Sequence, residues 1–259
     1  RRTRLCGEIT SGDKSGCWVG NRFQPIPITK DADPSIALQI VERSSEFPGV
    51  DAKPTSVRYY PGTLGATGAH VLGYVGSVTE TDLMNPDKKY FRDEVIGKTG
   101  LEYQYDQYLR GKPGIKTVIV DRKEAVTEQS QNSSSYPGNN LITNLNVQLQ
   151  GATEKALATS VLRAKSMGYH ADGGAAVVLD VKTGKVLALA SYPTYDPNIW
   201  EKGLTVAQAK DMYSASTYVP ALSRPLQGLF APASTFKAIS IFAAAKAGYS
   251  LNASYDCPG

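Results

Sequence analysis

The clearest pattern of apolar and polar positions lies in the second half of the chain. Ala175-Ala-Val-Val-Leu-Asp-Val181 and Lys185-Val-Leu-Ala-Leu-Ala-Ser191 are β-rich runs separated by the short, glycine-containing connection Lys182-Thr183-Gly184. That order predicts a β-hairpin with its turn at 182–184. Upstream, Leu149, Ala152, Ala156, Val161, Ala164 and Met167 fall on roughly one helical stripe. Thr143-Asn144 can cap that helix and Gly168 can end it. Downstream, Phe236 through Ile239, Ile241, Phe242, the alanines 243 to 245 and Ala247 place apolar residues on nearly every face before Gly248. Pro232 suits a first helical turn, so a helix is predicted from about Ser234, and apolar faces all round predict that it is buried.

The first half is less periodic. Val57-Arg-Tyr-Tyr-Pro61 and Val71-Leu-Gly-Tyr-Val75 read as short extended pieces, and Leu101 to Leu109 as a tyrosine-rich helix whose rings pack between elements. Gln129-Ser-Gln-Asn-Ser-Ser-Ser-Tyr-Pro-Gly-Asn-Asn140 is polar and punctuated by Pro-Gly, so it reads as a loop or linker. A first domain would end near Lys123 to Gln129 and a second begin near Asn140, which divides the chain into 1–139 and 140–259. The later order of helix, hairpin, linker and buried helix predicts an α+β domain with helices packed on an antiparallel sheet. No internal repeat is visible.

Composition adds bounds. A chain of 259 residues, 41% of them hydrophobic, is long enough for two cored domains. The net charge of +4 is mild, suits work beside an anionic envelope and forms no nucleic-acid patch. No run reaches the about eighteen apolar residues of a membrane span. Cys6, Cys17 and Cys257 are odd in number and lack zinc-site spacing. Cys6 and Cys17 could form a bridge or stay as free thiols. Neither a metal nor an organic cofactor is called for. His70, between small and aliphatic residues, reads as a satisfied packing residue, and His170 as a residue favoured by a helix C-terminus.

The candidate chemistry is Ser234-Thr235-Phe236-Lys237. Positions i and i+3 share a helix face, which brings Lys237 Nζ within reach of the Ser234 hydroxyl. A lysine at the wall of an apolar helix loses hydration, and its neutral amine can then accept the serine proton. Free N–H groups at the helix start favour negative charge on an acyl oxygen. On these residues alone two readings stand: a nucleophile with its base, or a helix N-cap beside a snorkelling surface lysine. Ser11-Gly12-Asp13-Lys14 fits the same pattern but sits among turn-forming residues and carries no catalytic weight.

Ala231-Pro-Ala-Ser-Thr-Phe-Lys237 resembles the active-site segment of penicillin-binding proteins. Three further stretches are similar to class B members of that family, in the same order. They are Ala69-His-Val-Leu-Gly-Tyr-Val-Gly76, the segment from Gly97-Lys-Thr-Gly-Leu-Glu-Tyr to Gly-Lys-Pro-Gly114, and Ala190-Ser-Tyr-Pro-Thr-Tyr-Asp-Pro-Asn198. The resemblance covers most of the chain from about Pro34 and leans towards the elongation type.

It implies a non-catalytic pedestal or dimerisation-like domain followed by part of a β-lactamase-like serine-transpeptidase domain. Ser234 would be the acylated nucleophile and Lys237 its base. The reaction implied is D,D-transpeptidation of peptidoglycan stem peptides, with β-lactams as mimics of the substrate. A membrane glycosyltransferase partner and a membrane-anchored, extracytoplasmic setting follow from the family only.

The family completes its site with a Ser-x-Asn loop and a Lys-Ser/Thr-Gly strand beyond the serine helix, and neither is expected among the residues after Lys237. Lys98-Thr99-Gly100 and Lys182-Thr183-Gly184 both precede the nucleophile, so a structural role is expected of each. Alternatives are a D,D-carboxypeptidase or β-lactamase-type hydrolase, a β-lactam sensor, and a non-catalytic docking or scaffold module.

Overall fold

The computed structural model describes residues 26, 28–29, 32–62, 68–92, 94–121, 126–201, 203–254 and 256. The three cysteines and the Ser11-to-Lys14 pattern fall outside them. In the first half, helix α1 (Pro34–Glu42) starts where theory places a start: Pro34 occupies its first turn and Asp33 accepts a 2.8 Å hydrogen bond from Ser35 N. A segment without regular secondary structure runs from there to Pro61. Then come α2 (Ala69–Leu72), β1 (Val75–Ser77), α3 (Glu80–Leu83) and β2 (Val95–Gly97), followed by α4 (Gly100–Gln104) and α5 (Asp106–Leu109).

Strands β1 and β2 pair antiparallel with Val75 opposite Gly97. Their packing on α4 needs glycine, because a Cβ on Gly97 would lie 1.9 Å from Glu102 O. Asp106, 3% exposed, accepts bonds from Gly97 N at 2.9 Å and from the Tyr90 hydroxyl at 3.0 Å, which locks α5 onto the same pair of strands.

Three expectations for this half change. Val71-Leu72 is helical, not extended. The tyrosine-rich helix breaks at Tyr105 into α4 and α5, and Tyr103, Tyr105 and Tyr108 are exposed, not packed between elements. The polar stretch from Gln129 begins inside a strand: β3 (Ile115–Val120) and β4 (Val126–Ser133) form an antiparallel ribbon with two register irregularities. A two-stranded ribbon is held by backbone hydrogen bonds, so a serine- and asparagine-rich strand carries no apolar alternation to reveal it.

The second half begins with α6 (Val147–Ser166), then the hairpin of β5 (Gly174–Leu179) and β6 (Val186–Tyr192), α7 (Val206–Tyr213), α8 (Arg224–Gln227) and α9 (Lys237–Lys246). The hairpin is where it was predicted. Asp180 Oδ1 accepts from Lys182 N and Thr183 N, Gly184 takes φ +70°, and Lys182-Thr183-Gly184 is a turn.

The cap of α6 lies two residues beyond the predicted Asn144. Asn146 accepts from Leu149 N at 2.9 Å, while its own N–H donates to Leu187 O, so the sheet decides where the helix starts. The face of α6 turned to the hairpin matches the predicted stripe only in part: Val161 is buried as predicted, but Gln150 and Gly151 are buried while Ala152, Ala156 and Met167 are exposed. Gln150 donates to Leu189 O and accepts from Leu189 N, both at 2.8 Å, and so satisfies the backbone of β6 with a side chain.

Ala188 through Ser191 are all buried, so both faces of β6 are covered, by α6 and by α2 and α8. The apolar core joins the two halves. Ala69, Tyr195 and Met212 are its buried centre, with Ile199, Trp200, Leu204 and Ala221 against it. Tyr74 stacks on Trp200 with ring centroids 3.7 Å apart. Asn198 adds polar pairing, accepting from Tyr60 N and donating to Tyr60 O, each at 2.8 Å. Among the described residues, no helix is long and apolar enough to cross a membrane.

Candidate functional site

Ser234 lies in a single 3-10 turn, Ala233–Phe236, and Lys237 is the first residue of α9. The predicted helix start at Ser234 is therefore the tighter helix form. At three residues per turn, positions i and i+3 are in line, which keeps serine and lysine on one side of the chain. Their main chains are bonded, Lys237 N donating to Ser234 O. Their side chains are not: among the described residues neither the Ser234 hydroxyl nor Lys237 Nζ has a hydrogen-bond partner, and both residues are exposed. Thr235 N, one of the donors expected to be free at a helix start, is taken by Pro232 O at 3.1 Å.

The burial expected of this helix is not found. No residue of α9 is buried, and Ile239, Ile241 and Phe242 are 58%, 54% and 79% exposed. The predicted desolvation of Lys237 is likewise absent. Apolarity on every face states a demand for cover, and α9 packs chiefly on its own 3-10 turn and on the turn that follows it. No described element supplies the rest.

The residues beyond Lys237 do contain one literal Ser-x-Asn, Ser250-Leu251-Asn252, which the sequence reading passed over. It sits past the far end of α9, in a turn in which Asn252 N donates to Ser250 Oγ at 3.3 Å. A helix of ten residues is about 15 Å long, so this triplet does not face Ser234. Lys98-Thr99-Gly100 is structural as expected. Lys98 pairs with Asp82, and Gly100, at φ +59°, lets α4 start against Gly73. His170 is exposed beyond α6.

His70 is buried as expected, and its surroundings reach further than a packing role suggests. Its Nε2 donates to Pro220 O at 2.7 Å, and its ring meets Tyr195 edge-on at 5.2 Å. Burial holds the imidazole below its ordinary pKa; the Pro220 carbonyl opposes the shift and the nearby Arg224 charge adds to it. Arg224 itself, which the sequence reading passed over, is 8% exposed and opens α8. No single-sequence signal marks an arginine as buried.

A pedestal-like half joined through an apolar core to a layer of one hairpin and its helices, with a Ser-x-x-Lys turn beyond it, is the two-domain fold of serine transpeptidases. Family models agree along the chain: the Penicillin-binding Protein dimerisation domain matches residues 8–143 and the Penicillin binding protein transpeptidase domain matches residues 174–259. The chain belongs to the penicillin-binding protein family. It is 34% identical over 236 residues to Peptidoglycan D,D-transpeptidase MrdA of Escherichia coli K12, covering 88% of this chain and 34% of that protein. The chain thus spans about a third of the length of that curated relative.

Among solved structures, PBP2 of Pseudomonas aeruginosa in complex with WCK 5153 aligns at TM-score 0.53 and 30% identity, over 80% of this chain and 40% of that one. The Helicobacter pylori PBP2 in its complex with MreC aligns at TM-score 0.58 over 85% of this chain and 38% of that one. At 24% identity the latter speaks for the fold alone.

Proposed function

We propose that the chain is the pedestal and the first part of the transpeptidase domain of a peptidoglycan D,D-transpeptidase, with the boundary near 139/140. Ser234 is its nucleophile and Lys237 its base. The observation that carries this reading is the Ser234-to-Lys237 turn at the start of an apolar helix, inside the segment matched by the transpeptidase family model.

In the proposed reaction Ser234 Oγ attacks the carbonyl of the penultimate D-Ala of a stem peptide while its proton passes to Lys237 Nζ. The peptide bond breaks, the terminal D-Ala leaves with a proton, and an amine of a neighbouring stem peptide displaces Ser234 from the acyl-enzyme. A β-lactam would open on the same oxygen and stay bound. The family also supports a membrane-anchored, extracytoplasmic setting and a membrane glycosyltransferase partner.

The test is labelling with a fluorescent penicillin, with the adduct located by peptide mass spectrometry. In the full-length protein the adduct is expected on Ser234 and is expected to vanish in Ser234→Ala. Residues 1–259 alone are expected to label weakly, because Ser234 is exposed and half of the oxyanion hole is expected from the family's Lys-Ser/Thr-Gly strand. An adduct that survives Ser234→Ala would refute the assignment. A second reading, a docking or scaffold module without chemistry, is favoured by the open Ser234–Lys237 geometry and the uncovered α9. Complete failure of the full-length protein to label would select it, and a rapidly hydrolysed adduct would select the carboxypeptidase or β-lactamase alternative.

A further inference from the structure

Three non-glycine residues among those described have φ in the left-handed region: Tyr218 at 58°, Val219 at 46° and Ala233 at 45°. All lie in the sixteen residues before Ser234. A β-branched residue there is a backbone outlier, and two successive ones persist only where the surroundings hold them. Their N–H groups donate to Ala215 O at 3.0 Å and Ser214 O at 2.9 Å, and the side chain that engages both of their carbonyls is Arg224. Its guanidinium donates to Val219 O at 3.3 Å and to Tyr218 O, and among the described residues no carboxylate pairs with it. Space for it is made by Gly173, where a Cβ would lie 2.4 Å from Arg224 Nε.

The same short segment is tied down on both sides. Ser191 of β6 donates to Leu222 O at 3.1 Å and accepts from Arg224 N at 3.2 Å, and His70 from the first half donates to Pro220 O. Beyond α8 these anchors end. Leu229 and Phe230 are exposed, and the 3-10 turn and α9 pack on each other. Among the described residues, the position of Ser234 is inherited from α8.

We propose that Arg224 is a positioning residue for the nucleophile: by clamping the left-handed Tyr218–Val219 turn it fixes the point from which the arm carrying Ser234 leaves the sheet. This rests on Ser234 being the acylated residue. The clamp acts through backbone geometry, so it becomes dispensable if the backbone is freed of its strain. Glycine takes a positive φ without steric conflict.

The test combines amide hydrogen exchange on this chain with the rate of penicillin acylation of the full-length protein, for Arg224→Met, Val219→Gly and the double variant. Arg224→Met is expected to speed exchange at Val219, Ala221 and Leu222 about tenfold or more, with β5, β6 and α6 unchanged. It should lower the acylation rate constant about tenfold while leaving the concentration dependence of penicillin binding in place. Val219→Gly should restore both in the Arg224→Met background. A faster exchange spread evenly over β5, β6 and α6, or a defect that Val219→Gly does not relieve, would show Arg224 to be packing only and overturn the proposal. Faster local exchange with unchanged acylation would overturn the positioning role. Failure of the unsubstituted full-length protein to acylate would refute the reading of Ser234, and with it that role, while the exchange data would still report on the clamp.

Discussion

His70 Nε2 donates a hydrogen bond to Pro220 O across 2.7 Å, so a buried histidine of the first half holds the segment that leads to Ser234 in the second. His70 lies against the Tyr195 ring, with Arg224 and Glu154 as the charged groups that influence it. It is one of several contacts across the junction between the halves, beside the Tyr74–Trp200 stack and the Asn198–Tyr60 pairing.

The pH dependence of stability follows from that burial. The folded-state pKa of His70 is depressed, so below the ordinary value of about 6.5 the unfolded chain binds more protons than the folded one. Stability is complete above that pH and is lost as the pH falls towards the folded pKa. His70→Gln removes the titration and keeps a donor for Pro220 O. Melting temperatures from pH 7.5 to 5 should fall less steeply in His70→Gln than in the unsubstituted chain, and parallel curves would refute the assignment. At pH 7.5 the variant should lose about 1 kcal/mol with its ring contact to Tyr195.

Asn198→Ala should loosen the junction by about 2 kcal/mol, since Tyr60 N and O both lose their partner. Urea unfolding followed by Trp200 fluorescence would measure this. A change within a few tenths of a kcal/mol would mean that water replaces the amide without loss.

Asp106→Ala should be among the most damaging single changes in the first half. It leaves Gly97 N and the Tyr90 hydroxyl without the acceptor they share and removes the carboxylate that Arg110 faces at 3.7 Å. A loss of about 3 kcal/mol is expected from denaturant unfolding. Asp106→Asn, which keeps one acceptor oxygen, should recover part of it.

Ala233→Gly should stabilise the turn that carries Ser234. Ala233 has φ +45°, a conformation that costs an L-residue about 1 kcal/mol and glycine much less. Slower amide exchange at Thr235 and Lys237 is the expected sign, and faster exchange would show that the alanine methyl makes contacts worth more than the strain.

What was readable in the sequence is what short-range chemistry dictates. The hairpin of β5 and β6 and its Lys182-Thr183-Gly184 turn follow from two aliphatic runs around a glycine, and α6 from helical spacing over five turns. The α+β character follows from the order of helix, hairpin, linker and apolar helix, and the family from the Ala231-to-Lys237 segment together with its upstream matches. Ser234 and Lys237 were placed as candidates by their spacing together with Pro232 before them and the apolar run after them, because a separation of three puts them on one side of the chain in either helix form.

Tertiary structure decided what depends on partners distant in the chain. Asn146, not Asn144, caps α6 because Leu187 O holds its N–H. β4 runs into the polar stretch because backbone pairing with β3 needs no apolar side chains. His70 and Arg224 converge on residues 218–220 only once the two halves share a core, and no local pattern announces a buried arginine or a strained valine. The exposure of α9 follows the same reasoning: its composition fixes that the helix forms and seeks cover, whereas the cover must come from elements elsewhere in space. Secondary structure is largely a matter of neighbours along the chain, and burial is a matter of neighbours across it.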